Sequence, residues 1–182
     1  MAEPDRWSRW LLERRDPGSA QQREAALEHL IPVRDRVLED AGPLDGTTVL
    51  DVGTGDGLIA LEALRRVGPR GTVIFSDVSE ALLEHCRQVV AATDAVDRAR
   101  FVLTSAEDLA GIADATVDVV TARSVLIYVA DRARAVSAMH RVLRVGGRVS
   151  LFEPVNRRMF PEPHDRFWGY DVTAVAELAA RV

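Results

Sequence analysis

With 182 residues, 47% of them hydrophobic and 28% charged, and a mean hydropathy of -0.03, the chain is long enough to bury one globular core and too evenly mixed for a fibre. The formal net charge of -5 argues against a general nucleic-acid binder, and because all 23 basic residues are arginine, lysine Schiff-base chemistry and the lysine-bearing phosphate loop are both excluded. The single cysteine, Cys86, rules out an internal disulfide framework. The start M-A-E-P-D-R lacks a signal-peptide layout, and apolar runs such as 125–130 fall short of the roughly 20 residues of a membrane span, so a cytosolic protein is expected.

The chain opens with two helical patterns, expected to form a cap over residues 1–45. Trp7, Trp10 and Leu11 at i, i+3 and i+4 make one apolar stripe. Leu27, Leu30, Ile31, Val37, Leu38 and Ala41 make a second, interrupted by Pro32, and Ser19 with Gln22 has the form of a capping box. The second helix is expected to pack on the core. The first, followed by Arg14 and Arg15, either packs there or forms a lid over a ligand.

From residue 46 to 155 strand and helix alternate. Strands are predicted at 48–52, 72–76, 100–103, 117–121 and 148–153, each short and rich in β-branched residues. Helices are predicted at 58–67, 80–92 and 132–143, with Ser79 and Asp131 as N-caps. The strands are almost continuously apolar, which predicts burial on both faces and hence an α/β fold with a doubly wound, mainly parallel sheet. Ligands of such sheets bind outside the carboxyl ends of the strands, where the winding reverses.

The most informative run lies at one such end. Residues 49–57 read V-L-D-V-G-T-G-D-G, an apolar strand followed by glycines at 53, 55 and 57, and twenty residues later T-V-I-F-S delivers Asp77. Glycine lets a backbone take otherwise closed φ values and come close to a bound molecule. A carboxylate after the second strand can accept hydrogen bonds from both hydroxyls of a ribose. A dinucleotide fingerprint would put its third glycine at residue 58, where Leu58 stands, so the spacing does not suit NAD.

At this point the chain resembles class I S-adenosylmethionine-dependent methyltransferases, whose first motif is an acid followed by alternating glycines, here Asp51, Gly53, Gly55 and Gly57. Residues 116–149, from T-V-D-V-V-T-A-R-S to V-G-G-R-V, look like that family's fourth strand, following helix and Gly-Gly turn into the fifth strand, so the resemblance spans residues 47–153. It implies a Rossmann-like methyltransferase core with S-adenosylmethionine as cofactor and S-adenosylhomocysteine as product. The loop from Asp51 through Gly53, Thr54 and Gly55 to Gly57 would lie against the methionine part, with Asp77 on the ribose and Val78 beside the adenine. Ser105, Ala106 and Glu107 match the stretch that reads the adenine edge, often Asp-Ala-Glu in the family. Ser105 departs from it, which shifts weight to Glu107. Residues 105–108 also read as a helix cap.

Catalytic candidates are few. Arg123 is placed to bind the cofactor carboxylate or an anionic substrate, or to be an ordinary ion-pair partner. Tyr128 either orients an acceptor or is a packed aromatic. His29, His85 and His140 fall in predicted helices, which leaves His164, in P-E-P-H-D, as the general-base candidate, and no cluster has metal-ligand spacing. Displacement at a sulfonium needs alignment more than a base, so a missing catalytic signature is expected. Some members of the family methylate arsenite with several cysteines, which Cys86 alone does not provide.

Residues 156–182 are expected to be an aromatic loop with Phe160, Phe167, Trp168 and Tyr170, then a helix at 172–181. The family's usual sixth and seventh strands are not in the sequence, which reads first as truncation, with a natural short form or completion as a homodimer through the open edge of the fifth strand as the alternatives. The resulting expectation is a small-molecule methyltransferase. A non-catalytic module that binds the nucleoside, or a degenerate methyltransferase subunit, is the alternative, and a nicotinamide oxidoreductase the third reading.

Overall fold

The computed structural model describes residues 3–14, 20–154, 166–167 and 170–171. It divides into two compact units, Met1–Phe152 and Glu153–Val182.

The first unit is a five-stranded, wholly parallel sheet. In chain order its strands are β1 (Thr48–Val52), β2 (Thr72–Asp77), β3 (Ala99–Leu103), β4 (Val117–Arg123) and β5 (Leu143–Phe152). The spatial order β3-β2-β1-β4-β5 reverses between β1 and β4, which is where a doubly wound sheet opens its crevice. Both faces are covered. Val49, Val73, Phe75 and Val119 pack under α2 (Ala20–Asp40), α3 (Ala60–Arg66) and α4 (Glu80–Ala91), while Leu50, Ile74, Val120 and Ala122 pack under α5 (Arg132–Val142). This two-sided burial is why β1 and β2 read as nearly continuous apolar runs, with Asp51, Ser76 and Asp77 the buried polar residues toward their carboxyl ends.

Most predicted boundaries hold within two residues, and both N-caps are present. The Ser79 hydroxyl accepts the Leu82 N–H at 3.2 Å, and Asp131 accepts the Arg134 N–H at 2.9 Å. Four expectations are corrected. Pro32 does not interrupt its helix, because α2 runs through it, and its later turns bury Val37, Leu38 and Ala41. β4 reaches Arg123, so that residue ends the strand. β5 begins five residues before its predicted start at 148, because Val117 pairs with Leu143 and Val119 with Arg148, and the intervening chain bulges out at Val145 and Gly146. Residues 105–108 form a turn rather than a helix, closed by the Leu109 N–H donating to Ser105 O at 2.9 Å.

The N-terminal segment starts with α1 (Arg6–Ser8), capped by Asp5, and widens into a π-helix over Arg9–Arg14. The wider winding keeps Leu11 partly covered but turns Trp10 outward, to 46% exposure, which breaks the predicted stripe. α2 lies against β5, where Ser150 donates to Val37 O at 2.7 Å, as expected of a helix packed on the sheet. β5 is the terminal strand of this sheet, with Val149 and Leu151 on it 44% and 40% exposed.

In the second unit, Arg166–Phe167 and Tyr170–Asp171 form a short antiparallel pair. His164, Phe160, Trp168, the capping-box residue Ser19 and the helix predicted at 172–181 lie outside the described residues.

Candidate functional site

The glycine loop leaves β1 at the winding reversal. Gly53, Gly55 and Gly57 all take positive φ, at 64°, 57° and 88°. The Thr54 N–H donating to Ser76 O at 2.9 Å ties the loop to β2, and the Gly57 N–H donating to Thr54 O at 2.9 Å closes it on itself. Protein fills the space that side chains here would need. A Cβ on Gly53 would stand 2.6 Å from Val125 Cγ2, and one on Gly57 would stand 2.8 Å from Leu61 Cδ1 and 3.1 Å from Cys86 Sγ. At Gly55 the nearest atom is Leu11 Cδ1, at 3.3 Å, from the N-terminal segment. The glycines thus serve close packing at 53 and 57, and at 55 they leave a backbone face that Leu11 covers.

Asp77 ends β2 beside that face. One carboxylate oxygen accepts the Gly55 N–H at 2.9 Å and the other accepts the Ser79 N–H at 2.9 Å, so this acid organises the loop as well as facing the crevice. Burial pushes its pKa up, opposed by the Gly55 and Ser79 amides. A carboxylate has about four lone-pair directions, which leaves capacity for the hydroxyls of a ribose. The adjacent Val78 side chain is 58% exposed, an apolar surface of the kind an adenine ring covers.

Asp51 lies deeper, 2% exposed on β1, accepting from the Thr121 hydroxyl on β4 at 2.7 Å. Burial raises its pKa to about 6, against the pull of the Thr121 and Thr54 hydroxyls and the positive charge of Arg123. The Thr54 hydroxyl is close enough to act on this carboxyl, yet among the described residues it has no hydrogen bond of ordinary geometry. Asp51 therefore braces β1 against β4 from inside the sheet.

On the far side of the crevice, Ser105 and Glu107 are engaged with each other and with α5. The Ser105 hydroxyl accepts the Glu107 N–H at 3.0 Å, and the Glu107 carboxylate accepts the Asp131 N–H at 2.8 Å. Ala106 is buried between them in sequence. Arg123 and Ser124 close β4, Ser124 at φ 55°, and a 3₁₀ turn over Leu126–Tyr128 carries Tyr128 outward to 57% exposure. The structure thus brings Asp51, the glycine loop, Asp77 and Arg123 to one end of the sheet.

Two contributors escaped sequence reading. Cys86, 0% exposed, points its thiol at Gly55 O at 3.5 Å and supports the loop from α4; its spacing from the glycines carries no signal. Asp5 reaches the Ser79 hydroxyl across 74 residues, a contact no local pattern announces.

A cofactor joining an amino acid to a nucleoside suits the chemistry of these residues, with a side-chain-free backbone at Gly55, an acceptor at Asp77 for a sugar and an exposed apolar side chain at Val78 for a base. Among the described residues no group of His, Cys, Asp and Glu has a metal-binding arrangement, and no helix is long and apolar enough to cross a membrane.

Comparison with known proteins bears on the family and the fold. The family described as "Methyltransferase domain" matches residues 49–147. The chain is 34% identical over 116 residues to the ubiquinone/menaquinone biosynthesis C-methyltransferase UbiE of Idiomarina loihiensis, covering 64% of this chain and 46% of that protein. It is 39% identical over 132 residues to the ubiquinone biosynthesis O-methyltransferase of Thiobacillus denitrificans, covering 72% and 54%. Among solved structures, the arsenic(III) S-adenosylmethionine methyltransferase of Chlamydomonas reinhardtii superimposes with a TM-score of 0.58 at 29% identity, over 65% of this chain and 44% of that one. The chain spans about half the length of the curated relatives it matches.

Proposed function

The chain belongs to the methyltransferase domain family, and on that premise we propose that it transfers a methyl group from S-adenosylmethionine to a small organic acceptor. The observation that carries this reading is the pairing of Asp77 with the Gly55 N–H at 2.9 Å, on a loop whose three glycines all adopt positive φ. When bound, the cofactor supplies a methyl group on a positively charged sulfonium, open to in-line attack.

The chain's own residues hold and align. The loop from Asp51 through Gly53, Thr54, Gly55 and Gly57 is the proposed bed for the methionine portion, with Arg123 on its carboxylate. Asp77 accepts the ribose hydroxyls, Val78 flanks the adenine, and Ser105, Ala106 and Glu107 line the adenine end. Because both Glu107 oxygens already have partners in Asp131 and Ser105, the backbone of this stretch takes more of the adenine recognition than its side chains. Tyr128, exposed beside the crevice, is the proposed contact for the acceptor. Positioning and exclusion of water supply most of the acceleration.

The arsenic chemistry in the name of the Chlamydomonas protein is not carried over, because the one thiol here is buried and pushed up to about 12. The single cysteine suits a reducing cytoplasm, the proposed compartment, and the outer edge of β5 is the proposed surface for pairing with a second copy. The test is transfer of a labelled methyl group from S-adenosylmethionine to a panel of phenols, quinols, amines and carboxylic acids. Labelled product from at least one class is expected. Cofactor binding without transfer to any class, in the presence of intact protein, would reduce the chain to a binding module.

A further inference from the structure

The N-terminal segment does more than pack. Asp5 accepts the N–H groups of Trp7 and Ser8 at 2.7 and 3.0 Å, which sets α1, and its other oxygen takes the hydroxyl of Ser79, the N-cap of α4 next to Asp77. Two residues on, Trp7 meets Tyr128 edge-on, with ring centroids 4.9 Å apart. Leu11 then lies over Gly55, the one glycine of the loop whose nearest side chain comes from the N-terminal segment. Residues 5–11 therefore bridge from the ribose acid to the acceptor side and cover the bare backbone between them.

We propose that residues 5–11 form a latched gate over the cofactor cleft, held shut by the Asp5–Ser79 and Trp7–Tyr128 contacts, and that the gate must lift before the cofactor can enter. The inference rests on the cofactor reading above. Leu11 stands on the face of Gly55 that the methionine portion would need, so shut gate and entering ligand exclude each other. The latch is built to release, since among the described residues it rests on the Asp5–Ser79 hydrogen bond and the Trp7–Tyr128 ring contact, and Trp10 and Leu12 beside it are 46% and 43% exposed rather than packed. A site open for only part of the time binds at a rate reduced by that fraction.

The test uses stopped-flow fluorescence, with S-adenosylhomocysteine as probe and the segment's own Trp7 and Trp10 as reporters. Asp5→Ala opens the latch, and Leu11→Ala, which leaves Asp5 and its cap intact, thins the cover; circular dichroism verifies that each variant is folded. The expected result is association faster by about fivefold or more in Asp5→Ala and by less in Leu11→Ala, with dissociation unchanged and Kd tightened in proportion. Trypsin cleavage after Arg9 without ligand should also quicken in Asp5→Ala. Rates within twofold of the parent in both variants, with binding intact, overturn the gate and leave the cofactor reading standing. Failure of every protein, parent included, to bind the probe in calorimetry overturns both together.

Discussion

The Asp77 carboxylate accepts the Gly55 N–H at 2.9 Å, and through this bond the acid at the end of β2 holds the turn after β1. One residue thus fixes the shape of the loop and offers the remaining acceptor sites to a ligand, and the two roles can be separated. Asp77→Ala removes both, and loss of charge-assisted hydrogen bonds at about 1.5 to 3 kcal/mol each predicts at least a hundredfold weaker S-adenosylhomocysteine binding. Asp77→Asn keeps one carbonyl acceptor and should fall between. Calorimetric Kd values in the order parent, Asn, Ala check this, and equal values would remove Asp77 from the site.

Replacing loop glycines by alanine should cost more than replacing glycines of similar φ elsewhere. Gly53 at φ 64° faces Val125 Cγ2 at 2.6 Å, whereas Gly46 at φ 72° has nothing within 4 Å of its Cβ position. Gly46→Ala bears only the backbone penalty of about 1 to 2 kcal/mol and should leave ligand binding unchanged. Gly53→Ala bears that penalty and displaces Val125, so it should lower both melting temperature and ligand affinity. Thermal melts with and without S-adenosylhomocysteine separate the two.

The buried Asp51 predicts a pH dependence of stability. Its carboxyl rises from 3.8 to about 6 in the folded state, so its contribution to stability is fully present below pH 3.8 and is lost as pH climbs to 6. At neutral pH the ionised buried group costs on the order of 3 kcal/mol relative to acid. Asp51→Asn keeps an acceptor for the Thr121 hydroxyl and carries no charge. Its advantage over the parent should grow between pH 4 and pH 7 and flatten above. Denaturant melts across that range test this; an advantage independent of pH would show that Asp51 is not desolvated as the fold requires.

Cys86 should be inert in the folded protein. Burial, with the nearby negative charges of Asp56, Asp51 and Asp77, pushes its thiol up to about 12. Alkylation by iodoacetamide at pH 8 should be at least a hundredfold slower than in denaturant. Comparable rates would mean that α4 does not seal the underside of the loop.

Much of the core was legible because its physics is local. The strand at 48–52, the glycine loop, Asp77 and the caps Ser79 and Asp131 each follow from residue type and spacing, and the parallel order follows from alternation. What sequence missed depends on contacts distant in the chain. Pro32 reads as a helix break, yet the packing of Val37 and Leu38 on the sheet outweighs one lost turn bond. The early start of β5 comes from pairing with β4, which no pattern in 143–147 encodes. The glycines read as ligand contacts, but at 53 and 57 it is Val125 and Leu61 that demand them. The site residues matched by family position converge at one end of the sheet, while Asp5 and Cys86 join them only through the fold.

The central claim is that the loop bearing Gly53, Gly55 and Gly57 and the acid Asp77 together hold the nucleoside of the methyl donor. Titration calorimetry of the intact chain with S-adenosylhomocysteine, run beside NAD, tests it most directly. One site per chain for S-adenosylhomocysteine, abolished or weakened at least a hundredfold by Asp77→Ala, with no heat from NAD, is the predicted result. Binding of NAD in preference to S-adenosylhomocysteine, or binding of the latter that ignores Asp77, would contradict it.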